Sequence, residues 1–400
     1  MTQRVRIGLI GTGFAARFHL ASYRKVYGED FQVVALCGRQ PARVAALAEQ
    51  FGIVGRFTSS DELLRDPGIN VVDLCVPNHL HAALIQEAAR HGKHVICEKP
   101  LGGYFGPPGA TDAWSAQGAP RQAMLEAVAD QARQVRDAVQ RAGITFCYGE
   151  NWVYAPPIAK VNRLMAASES AILRIEAEES HSGSHAAYAR RWRTAGGGSL
   201  LRLGVHPIGG ALHLKYEEGR RRTGQPIRPA SVLAQVATLT EMATFRAQSP
   251  HHLITGWHDV EDWCGLLLTF ADGSVAQLSA SDTTLGGIRN YLSAYGSRCV
   301  ATAHINPNNS CVAYTPSGQY LQGEYLVEKA ETKEGWSFPA PDEDAVTGYV
   351  EELRDFIHAV ATRREPQAGL MLAMDVLAVV YAGYLSAEQG RRVDLGPYLG

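Results

Sequence analysis

The chain has 400 residues, enough for two domains with separate cores. Hydrophobic residues make up 46% and charged residues 20%, the proportions of a soluble globular protein, and a formal net charge of -2 argues against a general nucleic-acid binder, which would be basic. No apolar run is expected to reach the roughly 20 residues that cross a bilayer. The N-terminus passes at once into a strand, so neither a membrane span nor a signal peptide is expected. The seven cysteines are scattered, without metal-ligand or CxxC spacing. Cys37, Cys75, Cys97 and Cys147 fall in or beside expected strands as small buried hydrophobes, which fits a reducing, cytoplasmic setting.

In chain order, a strand over 4–10 runs into Gly11-Thr12-Gly13-Phe14-Ala15-Ala16 and then a helix to about Tyr23. Gly11 suits a tight turn, Gly13 a close approach to pyrophosphate and Ala16 close helix–strand packing, with the helix N-terminus supplying free N–H groups. Phe14 and Ala15 open that helix beside the phosphates. A second strand, 31–37, ends in Gly38-Arg39, with no acid for a ribose 2′-OH. Arg39 suits a 2′-phosphate or adenine stacking, and equally a solvated loop, so NAD and NADP stay open. A helix over 41–51 and a short one from Ser60 follow.

The stretch 71–101, VVDLCVPNHLHAALIQEAARHGKHVICEKPL, reads as strand, helix, strand and charged turn. A strand-helix-strand unit makes a parallel pair, whose carboxyl ends take ligands. Pro77, Asn78, Glu98 and Lys99 stand there. Residues 102–120, rich in Gly, Pro and Ala, read as an insertion leaving directly from Lys99, expected to form a flap over the site. An amphipathic helix over 123–141 and a strand over 144–149 close a first domain, 1–150. The second domain, 151–400, has strands at 172–180, 232–239, 263–270, 275–281, 291–295 and 299–305, one helix over 199–216 and two more at 344–362 and 370–389. Consecutive strands argue an antiparallel sheet.

The motifs Pro77-Asn78-x-x-His81, Gly92-Lys93-His94-Val95 and Glu98-Lys99-Pro100-Leu101 resemble those of the glucose-fructose oxidoreductase/inositol dehydrogenase/rhizopine-catabolism family, abbreviated Gfo/Idh/MocA. The resemblance spans nearly the whole chain. It implies an α/β fold, an N-terminal Rossmann domain plus a C-terminal α+β domain with a large, mostly antiparallel open sheet. It also implies NAD(P)(H) as cofactor, held by Gly11, Gly13, Phe14, Ala15, Gly38, Arg39, Pro77, Asn78, His81, Glu98 and Lys99.

A second stretch, 196–214, GGGSLLRLGVHPIGGALHL, matches the family pattern at His206 and departs from it twice. The family has Asp four residues before that His and another three after; here stand Arg202 and Gly209. At i and i+4, Arg202 and His206 are expected to share a helix face. By the resemblance, Lys99 and His206 handle the hydroxyl proton while hydride passes to nicotinamide. Tyr154 is added as a catalytic candidate, and Glu178, Glu261 and Asp262 as weaker candidates for the missing acid. Arg202 cannot serve as a base; it binds an anionic substrate group or sits in an internal ion pair. The loop before the helix brings His181, His185, Tyr188, Trp192 and Arg193, donors and stacking faces for a sugar; no metal is expected.

The function expected is oxidation of a hydroxyl on a sugar, cyclitol or glycoside, possibly an anionic one. The alternatives are a redox-neutral NAD-dependent glycosidase and, more remotely, a non-catalytic cofactor-binding regulator. The expected partner is a small carbohydrate-like molecule, with no nucleic acid or membrane. A homodimer or homotetramer is expected through the sheet, where Leu266, Leu267, Leu268, Val275 and Leu278 put apolar groups on both alternations.

Overall fold

The computed structural model describes residues 4–330 and 332–400. Six strands form a parallel sheet: β1 (Val5–Ile10), β2 (Phe31–Cys37), β3 (Gly55–Phe57), β4 (Val71–Leu74), β5 (His94–Glu98) and β6 (Phe146–Gly149), in spatial order β3-β2-β1-β4-β5-β6. β4 and β6 are buried along their whole length, which is why they read as continuous apolar runs. The parallel arrangement brings the carboxyl ends to one edge. Glu98 on β5 pairs with Gly149 on β6, so Lys99 and Glu150 leave adjacent strands side by side.

The second sheet comprises β7 (Ile172–Ser180), β8 (Pro229–Ala237), β9 (Trp263–Phe270), β10 (Val275–Ser281), β11 (Arg289–Gly296) and β12 (Val300–Asn306). A small hairpin, β13 (Ala313–Thr315) with β14 (Gly335–Ser337), stands apart, and β15 (Val393–Asp394) adds an edge, giving the order β12-β11-β7-β10-β9-β8-β15. The sheet is mostly antiparallel, but β7 and β10 pair in parallel at its centre. The mostly antiparallel sheet is as expected; the run of strands does not reveal the one parallel pair. The chain leaves β7 through the helix Val205–Thr223 and returns through β8 and β9, a crossover long enough to bring β10 back in the same direction.

Two expected helices are broken. The span 199–216 divides into Ser199–Arg202 and Val205–Thr223, and 344–362 into Glu343–Val346 and Tyr349–Thr362 around Gly348. Gly348 has φ +100, and a Cβ there would meet the Asn151 carbonyl at 2.4 Å, so the chain turns at the one residue that fits.

The helix Leu370–Gln389 corrects the expectation that no segment reaches bilayer length. It has 20 residues and a mean hydropathy of 1.8 over its most apolar stretch. Yet 83% of that stretch is buried, against the helix Arg121–Ala142, β8 and the helix Val205–Thr223. Asp375 within it pairs with Arg228 and accepts from the Tyr216 hydroxyl. It is the shared core helix of both sheets.

The insertion 102–120 is pinned rather than free to swing. Trp192 Nε1 donates to Tyr104 O at 2.9 Å, and Arg193 donates to Phe105 O at 2.8 Å and Ala110 O at 3.0 Å. Tyr104 N donates to the Tyr381 hydroxyl at 2.6 Å and Ala116 N to Asp259 at 2.8 Å. Anchors along most of its length make it a fixed cover over the loop 187–195.

Candidate active site

At the nucleotide end, Gly11 has φ +132 and a Cβ there would strike the Cys75 carbonyl at 2.0 Å. Gly13 differs: apart from its chain neighbours, no described residue comes within 4 Å of a Cβ built on it. Internal packing therefore does not require glycine at 13, whereas a phosphate drawn against the backbone would. The helix Phe14–Tyr23 starts without a side-chain cap or an acid in its first turn, leaving its N–H groups for an anion. Ala15 is half-buried in that first turn, and Phe14 is exposed at its mouth. Gly38 closes β2 against the Thr12 side chain, and Arg39 stands exposed beyond it. These residues fit a nicotinamide dinucleotide.

Several residues expected to touch the cofactor also hold the turns. His81 is fully buried, its ring nitrogens 2.7 Å from Pro100 O and 3.0 Å from Val76 O. It ties the end of β4, at Pro77, to the turn after Lys99. Asn78 donates to Ala195 O at 3.0 Å, linking that edge to the glycine run 196–198. Glu98 accepts from Lys99 N at 3.0 Å and bonds His19 Nε2 at 3.0 Å, while His19 Nδ1 bonds Asp73 at 2.9 Å. Burial alone would lower the His19 pKa, but Asp73 and Cys75 raise it well above the ordinary value, which favours the protonated ring between the two carboxylates. His19, Asp73 and Cys75 gather within 4.8 Å of one another, each bonded within the group. Their sequence spacing did not reveal this cluster.

The catalytic end is set by the helix break. Gly204 N donates to Ser199 O and His206 N to Leu203 O, so the Arg202 carbonyl leaves the helical ladder and accepts the Lys99 ammonium at 3.0 Å. Arg202 and His206 thus lie on different helices and share no face. The Arg202 guanidinium pairs with Asp282, which is fully buried, and lies over the Trp257 ring at 5.2 Å. Its counter-charge belongs to the chain, which removes the reason to expect an anionic substrate.

His206 Nδ1 bonds Glu150 Oε1 at 2.7 Å. A Cβ at Gly209 would meet Glu150 Cγ at 2.8 Å. Glu150 therefore fills the space in which a side chain at 209 would stand and supplies the acid missing there. Burial lowers the His206 pKa, but Glu150 and Glu179 outweigh it and raise it, with Lys99 opposing them. Among the described residues, His206 Nε2 has no hydrogen-bond partner, and the ring lines a cleft with Phe14, Trp152, Glu179, Asn290 and Tyr349. The Trp152 indole stacks on His206 with centroids 6.2 Å apart.

Other candidates are committed elsewhere. Tyr154 is buried, its hydroxyl donating to Asp355 at 2.8 Å and accepting from Ala368 N at 2.9 Å. Trp192 and Arg193 hold the insertion. His181 is buried and accepts from Gly183 N at 2.9 Å; burial, with Lys329 and Arg202, pushes its pKa down to about 3. His185 and Tyr188 are exposed. Glu178 pairs with Arg289 at 3.2 Å. Glu261 caps Gly198 and Leu200, and Asp262 caps Leu239 and Thr240. Sequence reasoning missed Glu150, Glu179 and Asp282. Glu150 was open to it, as the residue that follows a β6 paired beside β5.

A dinucleotide-binding parallel sheet carrying a Lys at its carboxyl edge, joined to a second, mostly antiparallel sheet, is the architecture of a nicotinamide-dependent oxidoreductase. Residues 5–105 match the family model described as "Oxidoreductase family, NAD-binding Rossmann fold" and residues 168–302 that of the "GFO/IDH/MocA C-terminal domain". The chain belongs to the Gfo/Idh/MocA family of NAD(P)-dependent oxidoreductases.

It is 27% identical to levoglucosan dehydrogenase of Pseudarthrobacter phenanthrenivorans over 309 residues, 72% of this chain and 70% of that protein. It is 24% identical to D-xylose 1-dehydrogenase (NADP(+)) 2 of Haloferax volcanii over 386 residues, 92% and 94% of the two chains. The fold matches the crystal structure of GenD2 from gentamicin A biosynthesis in complex with NAD at TM-score 0.78, with 24% identity over 98% of this chain and 97% of that one. It also matches levoglucosan dehydrogenase in complex with NADH and levoglucosan at TM-score 0.70, with 20% identity over 98% and 100%.

Proposed function

We propose that the protein oxidises one hydroxyl of a cyclic sugar or polyol to a carbonyl. The observation that carries this is His206 facing the cleft under the nucleotide helix, with Lys99 held on the carbonyl of Arg202, four residues before it. Bound there, the nicotinamide supplies the hydride acceptor. Lys99 Nζ, anchored by one hydrogen bond to Arg202 O, keeps donors for the substrate oxygen. Glu150 fixes the tautomer of His206 with its proton on Nδ1, so Nε2 presents a lone pair to the cleft and takes the hydroxyl proton. Trp152 and Tyr349 give the ring apolar faces to lie on. The relatives named for levoglucosan and xylose support a carbohydrate substrate. Arg39, with no acid beside it, leaves the choice of NAD or NADP to be read from a matched pair of titrations.

The test is NAD(P)H absorbance over a panel of pyranoses, anhydrosugars and inositols. One equivalent of carbonyl product should appear per reduced cofactor, and Lys99→Ala should cut kcat by roughly two to four orders of magnitude, as expected when an acid–base group is lost. Hydrolysis of a glycoside without net cofactor reduction would reject the dehydrogenase reading in favour of a redox-neutral glycosidase.

A further inference from the structure

The substrate end of the cleft is lined by acceptors. Glu179, Glu328 and Glu343 are its acidic side chains, and His206 is the one basic side chain lining it among the described residues. Glu343 is engaged by the Tyr325 hydroxyl at 2.6 Å, Glu328 N at 3.1 Å and Asn306 Nδ2 at 3.3 Å. Among the described residues, Glu179 Oε2 has no hydrogen-bond partner. Asn290, only 6% exposed and lining the same cleft, likewise leaves Oδ1 unpartnered. Lys99 and Lys329 stand nearby but point their ammonium groups at backbone carbonyls, Arg202 O at 3.0 Å and Gly183 O at 3.5 Å. Buried acceptors without donors are costly, and their partners come with whatever the site binds.

Hydroxyl groups alone would give each carboxylate a hydrogen bond and leave both charges in place. Burial raises the Glu179 pKa, with Glu150 adding to it and His206, Lys99 and the Trp152 side chain opposing. Burial also raises that of Glu328, with Lys329 opposing and Glu343 and Glu179 adding. Burial disfavours the charged form of each, and a cation bound beside them offsets that cost.

We propose that the substrate is an amino sugar or aminocyclitol whose ammonium group sits between Glu179 and Glu328, with Asn290 Oδ1 as a further acceptor. This rests on the dehydrogenase reading above and narrows its substrate class. A charge-assisted hydrogen bond lost from such a site corresponds to roughly a ten- to hundredfold change in affinity.

The experiment is calorimetric titration of the NAD⁺-saturated protein with matched pairs, D-glucosamine against D-glucose and an aminodeoxy-inositol against myo-inositol, with NADH production followed in parallel. The aminated member of a pair should bind at least about tenfold more tightly. In Glu328→Gln and Glu179→Gln that preference should collapse to within about threefold. Equal affinity, preference for the neutral member, or a preference untouched by both substitutions overturns the amine proposal while NADH production keeps the dehydrogenase reading. Failure of every sugar to bind or to reduce the cofactor overturns both.

Discussion

Glu150 ties the departures in the 196–214 stretch to the site's chemistry. It bonds His206 Nδ1 and holds the imidazole pKa up, so it sets both the tautomer and the pH at which Nε2 is free to take a proton. A base must be neutral to act, so activity should rise with pH through the His206 pKa. Glu150→Gln keeps an acceptor and removes the charge. It should move the acidic limb of the kcat profile to lower pH and reduce kcat by about tenfold to a hundredfold, the lower part of what acid–base groups contribute. A profile that loses height without moving would make Glu150 a packing residue only. Arg202 gives the second residue-scale prediction. Removing one partner of a buried ion pair costs about 3–5 kcal/mol, because the other charge is left unpaired. Arg202→Met should lower the denaturant midpoint accordingly, and adding Asp282→Asn should recover much of the loss. Neutral and anionic sugars should be affected alike.

At the scale of elements, acids at the ends of strands do the work that the helix 205–223 does not. Position 209 lies on that helix against Glu150, and the space serves one carboxylate at a time. Gly209→Asp alone should crowd Glu150 and cost about 1–3 kcal/mol in thermal or denaturant unfolding, the usual range for overpacking. Combined with Glu150→Ala it should regain stability and part of the activity, since the new carboxylate reaches His206 from the helix. A double variant no better than the single ones would show that the backbone at 209 cannot deliver that acid. The break at Leu203–Gly204 belongs to this scale too. It frees the Arg202 carbonyl for Lys99 and so couples the two sheets at the reacting centre.

For the whole molecule, the open face of the seven-stranded sheet decides the expectation of assembly. Leu266, Leu268 and Leu278 point into the core, while Leu267 and Val275 lie exposed on the outer face, which also carries Leu233 and Val300. The same face carries Gln277, Glu176 and Thr302 in register. The clean alternation replaces the expected two-sided apolar pattern. Large exposed apolar residues on a continuous sheet face argue for association through it. Light scattering at micromolar concentration should give a dimer or tetramer, and Leu267→Glu with Leu233→Glu should shift it toward monomer. A wild-type monomer would reject this.

The sequence by itself determined the Rossmann end of the molecule. Buried parallel strands, a glycine-rich turn and a helix start are local signals, encoded within about thirty residues. Lys99 and His206 were legible because each sits in a short motif. The remaining site was decided by tertiary structure. Glu150, Glu179 and Asp282 reach His206, the cleft and Arg202 from separate strand ends, 56, 27 and 80 residues away in sequence from the groups they serve. No periodicity records such a meeting. It arises from strand order and from the parallel β7–β10 pair, which the folded sheets fix and the local pattern does not. The same holds for the helix Leu370–Gln389, whose apolar length suits a bilayer as well as a core until the burial around Asp375 settles which it is.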